Sequence, residues 1–397
     1  MAGQIHGEVE PQFAAVADAF RTNWEQSHEL GAAVCVYLDG RPVVDLWGGV
    51  ADAATGRAWG ERTPVLSFSV GKGITALVVH LLAERGILDL DAPIERYWPE
   101  FAGAGKEGMP LMWALTHQTA VAYLDAPLTL AEVCEGSAVL RAIEAQTPNW
   151  IPGTAYAYHA VTHGFVLGEI VRRATGRPFA EVFQQEIAEP LGLDMWFGVP
   201  DSVLPEVAVL DVGPLSWSDP EAIRAVDAAI EADDRAWRAL TLNGAIRLPQ
   251  GSRRELDYND EIVLRAELPA SGLVTTAHSL ARIYSSTVAE TDGFRLLDDE
   301  RIRRAIRLTI SGDHLFSFGQ PAAEERWGEG LRLPPVAAGE LLGATSFGHS
   351  GAGGAIGFGD VDARVGFGYV ANRMSIGADE RAHRLVTALA DALRAAF

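Results

Sequence analysis

The stretch Ser67-Phe68-Ser69-Val70-Gly71-Lys72-Gly73 decides how this chain reads. Its lysine is one of only two, the other being Lys106, so 30 of the 32 basic residues are arginine. Directly after it, Ile74, Leu77, Val78, Leu81 and Leu82 have the spacing of a core-facing helix, which Gly86 stops. Ser69 therefore stands at a helix N-terminus, and Lys72, three residues on, shares its face. A serine hydroxyl is a poor nucleophile until a base within hydrogen-bond reach takes its proton. A lysine desolvated near the positive end of a helix can be neutral near pH 7, whereas an arginine stays protonated. Ser69 and Lys72 thus have the makings of a nucleophile and its base.

Outward from this pair, two apolar runs, residues 31–38 and 41–49, flank Asp39-Gly40, the strongest hairpin signal in the chain. Phe13, Val16, Ala17, Phe20 and Trp24 predict an amphipathic helix over 10–26, and Leu385, Leu389, Ala392, Leu393 and Ala396 predict another at the far end. Between them, Val365, Phe367 and Tyr369 alternate with Gly366, Gly368 and Val370 as in a strand. The segment 159–178 reads as a helix closed by Gly176-Arg177-Pro178, and residues 216–240 as the helical part of an acidic insertion. The economical architecture is α/β (α+β), a central antiparallel sheet flanked by the N- and C-terminal helices. Residues 1–75 plus 270–397 would form the sheet domain, and 76–269 an inserted helical lobe with a variable acidic segment at 205–262.

Composition narrows the function. A formal net charge of −21 disfavours nucleic acid and anionic membrane as partners. No run of about 18 apolar residues suggests a membrane span. Met1–Glu8 lacks the basic and apolar regions of a secretory signal, so a cytoplasmic protein is expected. Cys35 and Cys134, the only cysteines, are expected as small buried hydrophobes, with neither a disulfide nor a CxxC zinc site.

The segment 67–101, "SFSVGKGITALVVHLLAERGILDLDAPIERYWPEF", resembles the nucleophile helix and following loop of serine hydrolases with the β-lactamase and penicillin-binding-protein fold. It is particularly similar to the class-C-like carboxylesterases of family VIII. The likeness continues through "LTHQTAVAYLDAPLTL", "PGTAYAYHAVTHGFVLGEIVRRATGRPF", "EPLGLDMWFG", "ELPASGLVTTAHSLARIY" and "FGHSGAGGAIGFGDVDARVGFGYVANRM", and is poorest over 205–262. The resemblance implies Ser69 as nucleophile, Lys72 as general-base partner and Tyr158 as the catalytic tyrosine, its phenol depressed by the lysine. It implies that His349-Ser350-Gly351 lines the substrate cleft and that the backbone N–H groups of Ser69 and Ala352 form an oxyanion hole. Two departures from the lactamase pattern stand out. Ala160 occupies the asparagine position after the tyrosine, and His349 replaces a lysine that would hold a substrate carboxylate.

Together these features predict a serine carboxylesterase working through an acyl-enzyme with no metal or organic cofactor, and the resemblance alone implies small to medium, short-acyl esters as its substrates. The same chemistry would serve an acyltransferase, an amidase or D-peptidase, or a weak β-lactamase; a non-catalytic scaffold is the reading from another class. Gly348-His349-Ser350-Gly351-Ala352, followed by Asp360 or Asp362 and His383, imitates a nucleophile elbow. That reading requires a helix directly after Ser350, and Ala352-Gly353-Gly354 is a poor helix start. His159 and His163, four apart, read as satisfied structural histidines rather than metal ligands.

Overall fold

The computed structural model describes residues 5–212, 220–249, 251–253, 255–316, 325–334, 341–375 and 379–396. Its strands are β1 Ile5–Val9, β2 Gly31–Leu38, β3 Arg41–Asp52, β4 Arg57–Ala58, β5 Val65–Leu66, β6 Met195–Phe197, β7 Leu273–Thr275, β8 Ile310–Gly312, β9 Glu325–Trp327, β10 Arg332–Leu333, β11 Ser346–Ser350, β12 Ile356–Asp360 and β13 Val365–Ala371. The helices used below are α1 Ala14–Gln26, α2 Val70–Glu84, α3 Thr162–Thr175, α4 Pro220–Ala232, α5 Arg235–Thr241, α6 Ala277–Val288 and α7 Glu380–Ala396. Among the described residues, no helix is long and apolar enough to cross a membrane.

The main sheet is antiparallel, ordered β1-β3-β2-β13-β12-β11-β10-β9-β8, with β4 paired to β3. The hairpin forms at Asp39-Gly40, whose φ angles of 51° and 80° match the twist of the flanking strands. On one face, Phe13, Val16 and Phe20 meet Leu385, Leu389 and Leu393 over Val34, Val36, Phe367 and Tyr369. Both terminal helices therefore cover that face, and the alternation of β13 sends its aromatic residues there.

The opposite face of β13 carries glycines, and α6 lies directly on them. A Cβ at Gly366 would stand 2.3 Å from Ala281 O, and one at Gly368 would stand 2.4 Å from Ala277 O. Helix and strand backbones approach this closely because no side chain separates them. The hydrophobic core on this side runs without a break from Cys35 through Leu77, Phe165 and Leu280 into the helical lobe. We infer that the lobes divide near residues 75 and 270, beside a second, three-stranded sheet in which β7 pairs with β5 and β6.

Two helix boundaries differ from expectation. α3 starts at Thr162 rather than near His159, because the backbone N–H groups of Tyr158 and His159 are taken by His314 Nδ1 (3.3 Å) and His117 Nδ1 (3.2 Å). In the acidic insertion, α4 and α5 are separated at Asp233-Asp234, where the Asp233 carboxylate accepts from the Arg235 N–H at 3.1 Å. Residues 216–219, the start of that expected helix, lie outside the described residues.

Candidate active site

β5 and the backbone bond from Ser67 N–H to Leu273 O (2.7 Å) carry the chain into α2 along a fixed path. Phe68 then takes a φ of 49°, an outlier for a bulky side chain, and its ring meets Tyr258 edge-on at 4.9 Å. Ser69 follows as the N-cap residue of α2, so its hydroxyl stands at the positive end of that helix. Such a strained residue beside a reactive one is typical of a site whose geometry is imposed by its surroundings.

Lys72 is fully buried, and its Nζ has three oxygen neighbours: Ser69 Oγ at 3.1 Å, Ala160 O at 2.6 Å and Ala270 O at 2.9 Å. Burial pushes the amine well below the ordinary lysine value, and the group is therefore readily neutral. A neutral amine has two N–H donors and one lone pair. The two carbonyls absorb the donors, which leaves the lone pair for the Ser69 hydroxyl. Once it has taken the proton, the ammonium finds acceptors for all three N–H groups in the same places.

Tyr158 is half-buried against this pair. Its hydroxyl hydrogen-bonds with Ser69 and lies 3.3 Å from His349 Nε2, and Lys72 Nζ stands 4.7 Å from its ring centroid. Burial raises the phenol above its ordinary value, only partly offset by the bond to Ser69. This corrects the expectation of a depressed phenol: a neutral lysine carries no charge to lower it, so Tyr158 is a proton donor at rest.

His349, at the end of β11, donates from Nδ1 to Ser350 O at 2.6 Å, which leaves Nε2 as an acceptor 3.3 Å from the Tyr158 hydroxyl. Burial first, and then the nearby Arg332, hold its ring well below the ordinary imidazole range, so it is neutral at pH 7. Gly351 runs so close to the Ser67 carbonyl that a Cβ would stand 2.2 Å from it, which sets residues 351–352 beside the 67–69 backbone. Among the described residues, the N–H groups of Ser69 and Ala352 have no protein acceptor and are free to bind an oxyanion.

Several neighbours carry no sequence signal. Arg332 donates to Ser350 Oγ at 2.8 Å and to Glu325 at 2.9 Å, and Glu325 also accepts from His314 at 2.8 Å. Burial would raise the Glu325 carboxyl, but the bonds from His314 and Arg332 bring it down to about 2. The ring of His117, at φ 61°, packs 4.9 Å from both Tyr158 and Trp327. From the acidic insertion, Ala236 and Ala239 join a small buried cluster with Ala122, Phe316 and Ala157, the residue before Tyr158.

The nucleophile-elbow reading fails, because Ser350 leads through a short turn, Ala352–Gly354, into strand β12 rather than into a helix. His159 is satisfied as expected: Nδ1 faces Ala157 O at 2.6 Å, and Nε2 accepts from Val121 N–H at 3.1 Å; His163 is not, for both of its buried ring nitrogens have no hydrogen-bond partner of ordinary geometry among the described residues.

The family model described as Beta-lactamase matches residues 16–392. The chain belongs to the Beta-lactamase family. Esterase/beta-lactamase LipL of Mycobacterium tuberculosis is 32% identical over 386 residues, covering 94% of this chain and 83% of that protein. The crystal structure of a family VIII carboxylesterase superimposes with a TM-score of 0.84 at 30% identity, covering 98% of this chain and all of the other. A penicillin-binding protein homologue from Caulobacter crescentus gives 0.83 at 30%, with the same coverage. In this chain Ser69, Lys72 and Tyr158 stand together at the start of α2. Beside them lies a neutral His349, and the nearby Arg332 is held by Glu325.

Proposed function

We propose that this protein is a serine carboxylesterase acting on small to medium, short-acyl esters through an acyl-enzyme on Ser69. The observation that carries this reading is the setting of the Lys72 amine, with two carbonyls on its N–H groups and its lone pair left for the Ser69 hydroxyl. Lys72 takes the proton as Ser69 attacks the ester carbonyl, and the N–H groups of Ser69 and Ala352 receive the developing oxyanion. Tyr158, protonated at rest, gives its proton to the departing alkoxide and regains one from the Lys72 ammonium. Water then enters, loses its proton to the same pair and releases the acid.

Uncharged substrates are favoured, because His349 offers no positive charge and Arg332 is already compensated. His349, Ser350 and Gly351 form the wall against which the substrate lies. Cys35 and Cys134 are both free thiols, in keeping with a reducing compartment such as the cytoplasm.

Hydrolysis of p-nitrophenyl acetate and butyrate, with nitrocefin alongside, tests the assignment. Wild type should turn over both esters and leave nitrocefin almost untouched, and Ser69→Ala should lose at least about 10³-fold in kcat. Undiminished ester hydrolysis by Ser69→Ala would remove Ser69 from the mechanism.

A further inference from the structure

Outside the Ser69 centre, β2, β3 and the first turn of α6 bring together a thiol, a carboxylate and an imidazole. Cys35 and Asp45 are directly paired across β2 and β3, so their side chains leave the same face of the sheet. His278 is the second residue of α6, whose start is fixed by the Thr276 side chain accepting from Ser279 N–H. Its Nδ1 faces both partners, 2.6 Å from Asp45 Oδ2 and 4.0 Å from Cys35 Sγ. All three donor atoms lie within 4.8 Å of one another.

We propose that Cys35, Asp45 and His278 form a binding site for a divalent, zinc-type cation, with water in the fourth position. A tetrahedral zinc has bonds of about 2.3 Å to sulfur and 2.0–2.1 Å to nitrogen and oxygen, so its S–N and N–O edges are about 3.6 and 3.3 Å. The S–N edge would close by about 0.4 Å, the N–O edge would open by about 0.7 Å, and the S–O edge, now within 4.8 Å, would settle at about 3.6 Å. The set of thiolate, imidazole and carboxylate selects zinc-like ions over magnesium or calcium. On the far side of the ring, Tyr37 Oη stands 3.1 Å from His278 Nε2, the outer partner that commonly orients a ligating histidine.

An ion can reach the site. Cys35 is buried, but the Asp45 and His278 side chains are 21% and 36% exposed. Asp45 also lines an open cavity of about 660 Å³ that Glu8, Glu10 and Glu61 make negative. The protons balance simply. The Cys35 thiol, neutral in its buried setting, loses one proton to solvent, and the His278 proton moves from Nδ1 to Nε2, where Tyr37 Oη accepts it. One proton leaves per ion bound.

The test is titration of chelator-stripped full-length protein with Co²⁺. Wild type should bind one equivalent with a thiolate-to-cobalt charge-transfer band, which Zn²⁺ then abolishes. The chain has only two cysteines, so Cys134→Ser, at a half-buried position, decides which thiol binds even if Cys35→Ser folds poorly. The band should persist in Cys134→Ser and vanish in Cys35→Ser, and affinity should fall at least about 10-fold in His278→Gln, with p-nitrophenyl acetate turnover unchanged throughout. Absence of the band in wild type, its survival in Cys35→Ser or its loss in Cys134→Ser would overturn the proposal.

Discussion

Lys72 sits where an ammonium is poorly tolerated, and the only cause that moves its pKa is its own desolvation. The proposed role, to gain and lose a proton, calls for a lysine, because a guanidinium cannot do this. Lys72→Arg should therefore lose at least about 10²-fold in kcat despite keeping a basic side chain. In wild type, kcat/KM should rise with pH as the amine deprotonates, along a limb lying well below the ordinary lysine value of 10.5. A pH profile on p-nitrophenyl acetate reads both, and a variant that keeps its turnover would reduce Lys72 to an electrostatic partner. Tyr158→Phe removes the proton donor without opening a cavity, so its defect should depend on the leaving group. The loss should be about 10²-fold or more on ethyl esters and smaller on p-nitrophenyl esters, whose anion leaves without help. Equal losses on both would show that Tyr158 does not act as the acid.

Among the elements, α2, the β2-β3 hairpin, β13 and the terminal helices were legible in the sequence, because each has a full period of apolar residues and a clear stop. The Ser69 and Lys72 pair was legible for the same reason, since three residues on one helix fix their own distance. Arg332, Glu325 and His314 were not. β9 and β10 have three and two residues, too short for any alternation, and their partners come from sheet pairing that no local spacing encodes. The state of Tyr158 was misjudged because the sequence gives its neighbours but not its burial. Cys35, Asp45 and His278 were likewise invisible as a group, scattered as they are over three elements. The glycines of β13 appeared only as the polar half of an alternation, whereas they are the seat of α6. Gly368→Ala would drive a methyl group to 2.4 Å from Ala277 O and 2.9 Å from Ala281 N. Overpacking of this kind should cost about 1–3 kcal/mol, read as a lower urea midpoint at unchanged slope. A midpoint equal to that of wild type would show that α6 can lift off the strand.

The whole molecule holds several histidines uncharged in its interior. Burial lowers His80 and His159 to about 4 and holds His117, His163 and His349 well below 6.5. In the unfolded chain each would titrate near 6.5, so below that pH the unfolded state binds protons that the folded state refuses. Stability is therefore full above about pH 6.5 and falls as pH drops toward 4. At pH 5.5, His80 and His159 should each take away about 1 kcal/mol. Urea unfolding at pH 7.5 and 5.5 checks this, and equal stabilities at the two pH values would contradict neutral burial.

The glycine face under α6 also determines where this enzyme can change. At positions 357, 366 and 368 the sheet offers α6 no side chains to exchange, and added atoms would collide with Leu280, Ala281 O and Ala277 O. The acidic insertion, by contrast, reaches the site through ordinary side chains: Tyr258 on Phe68, and Ala236 and Ala239 in one cluster with Ala157. Variation that adapts the pocket to a new acyl or alcohol group is thereby channelled into residues 205–262, while the frame beneath the nucleophile is closed to drift.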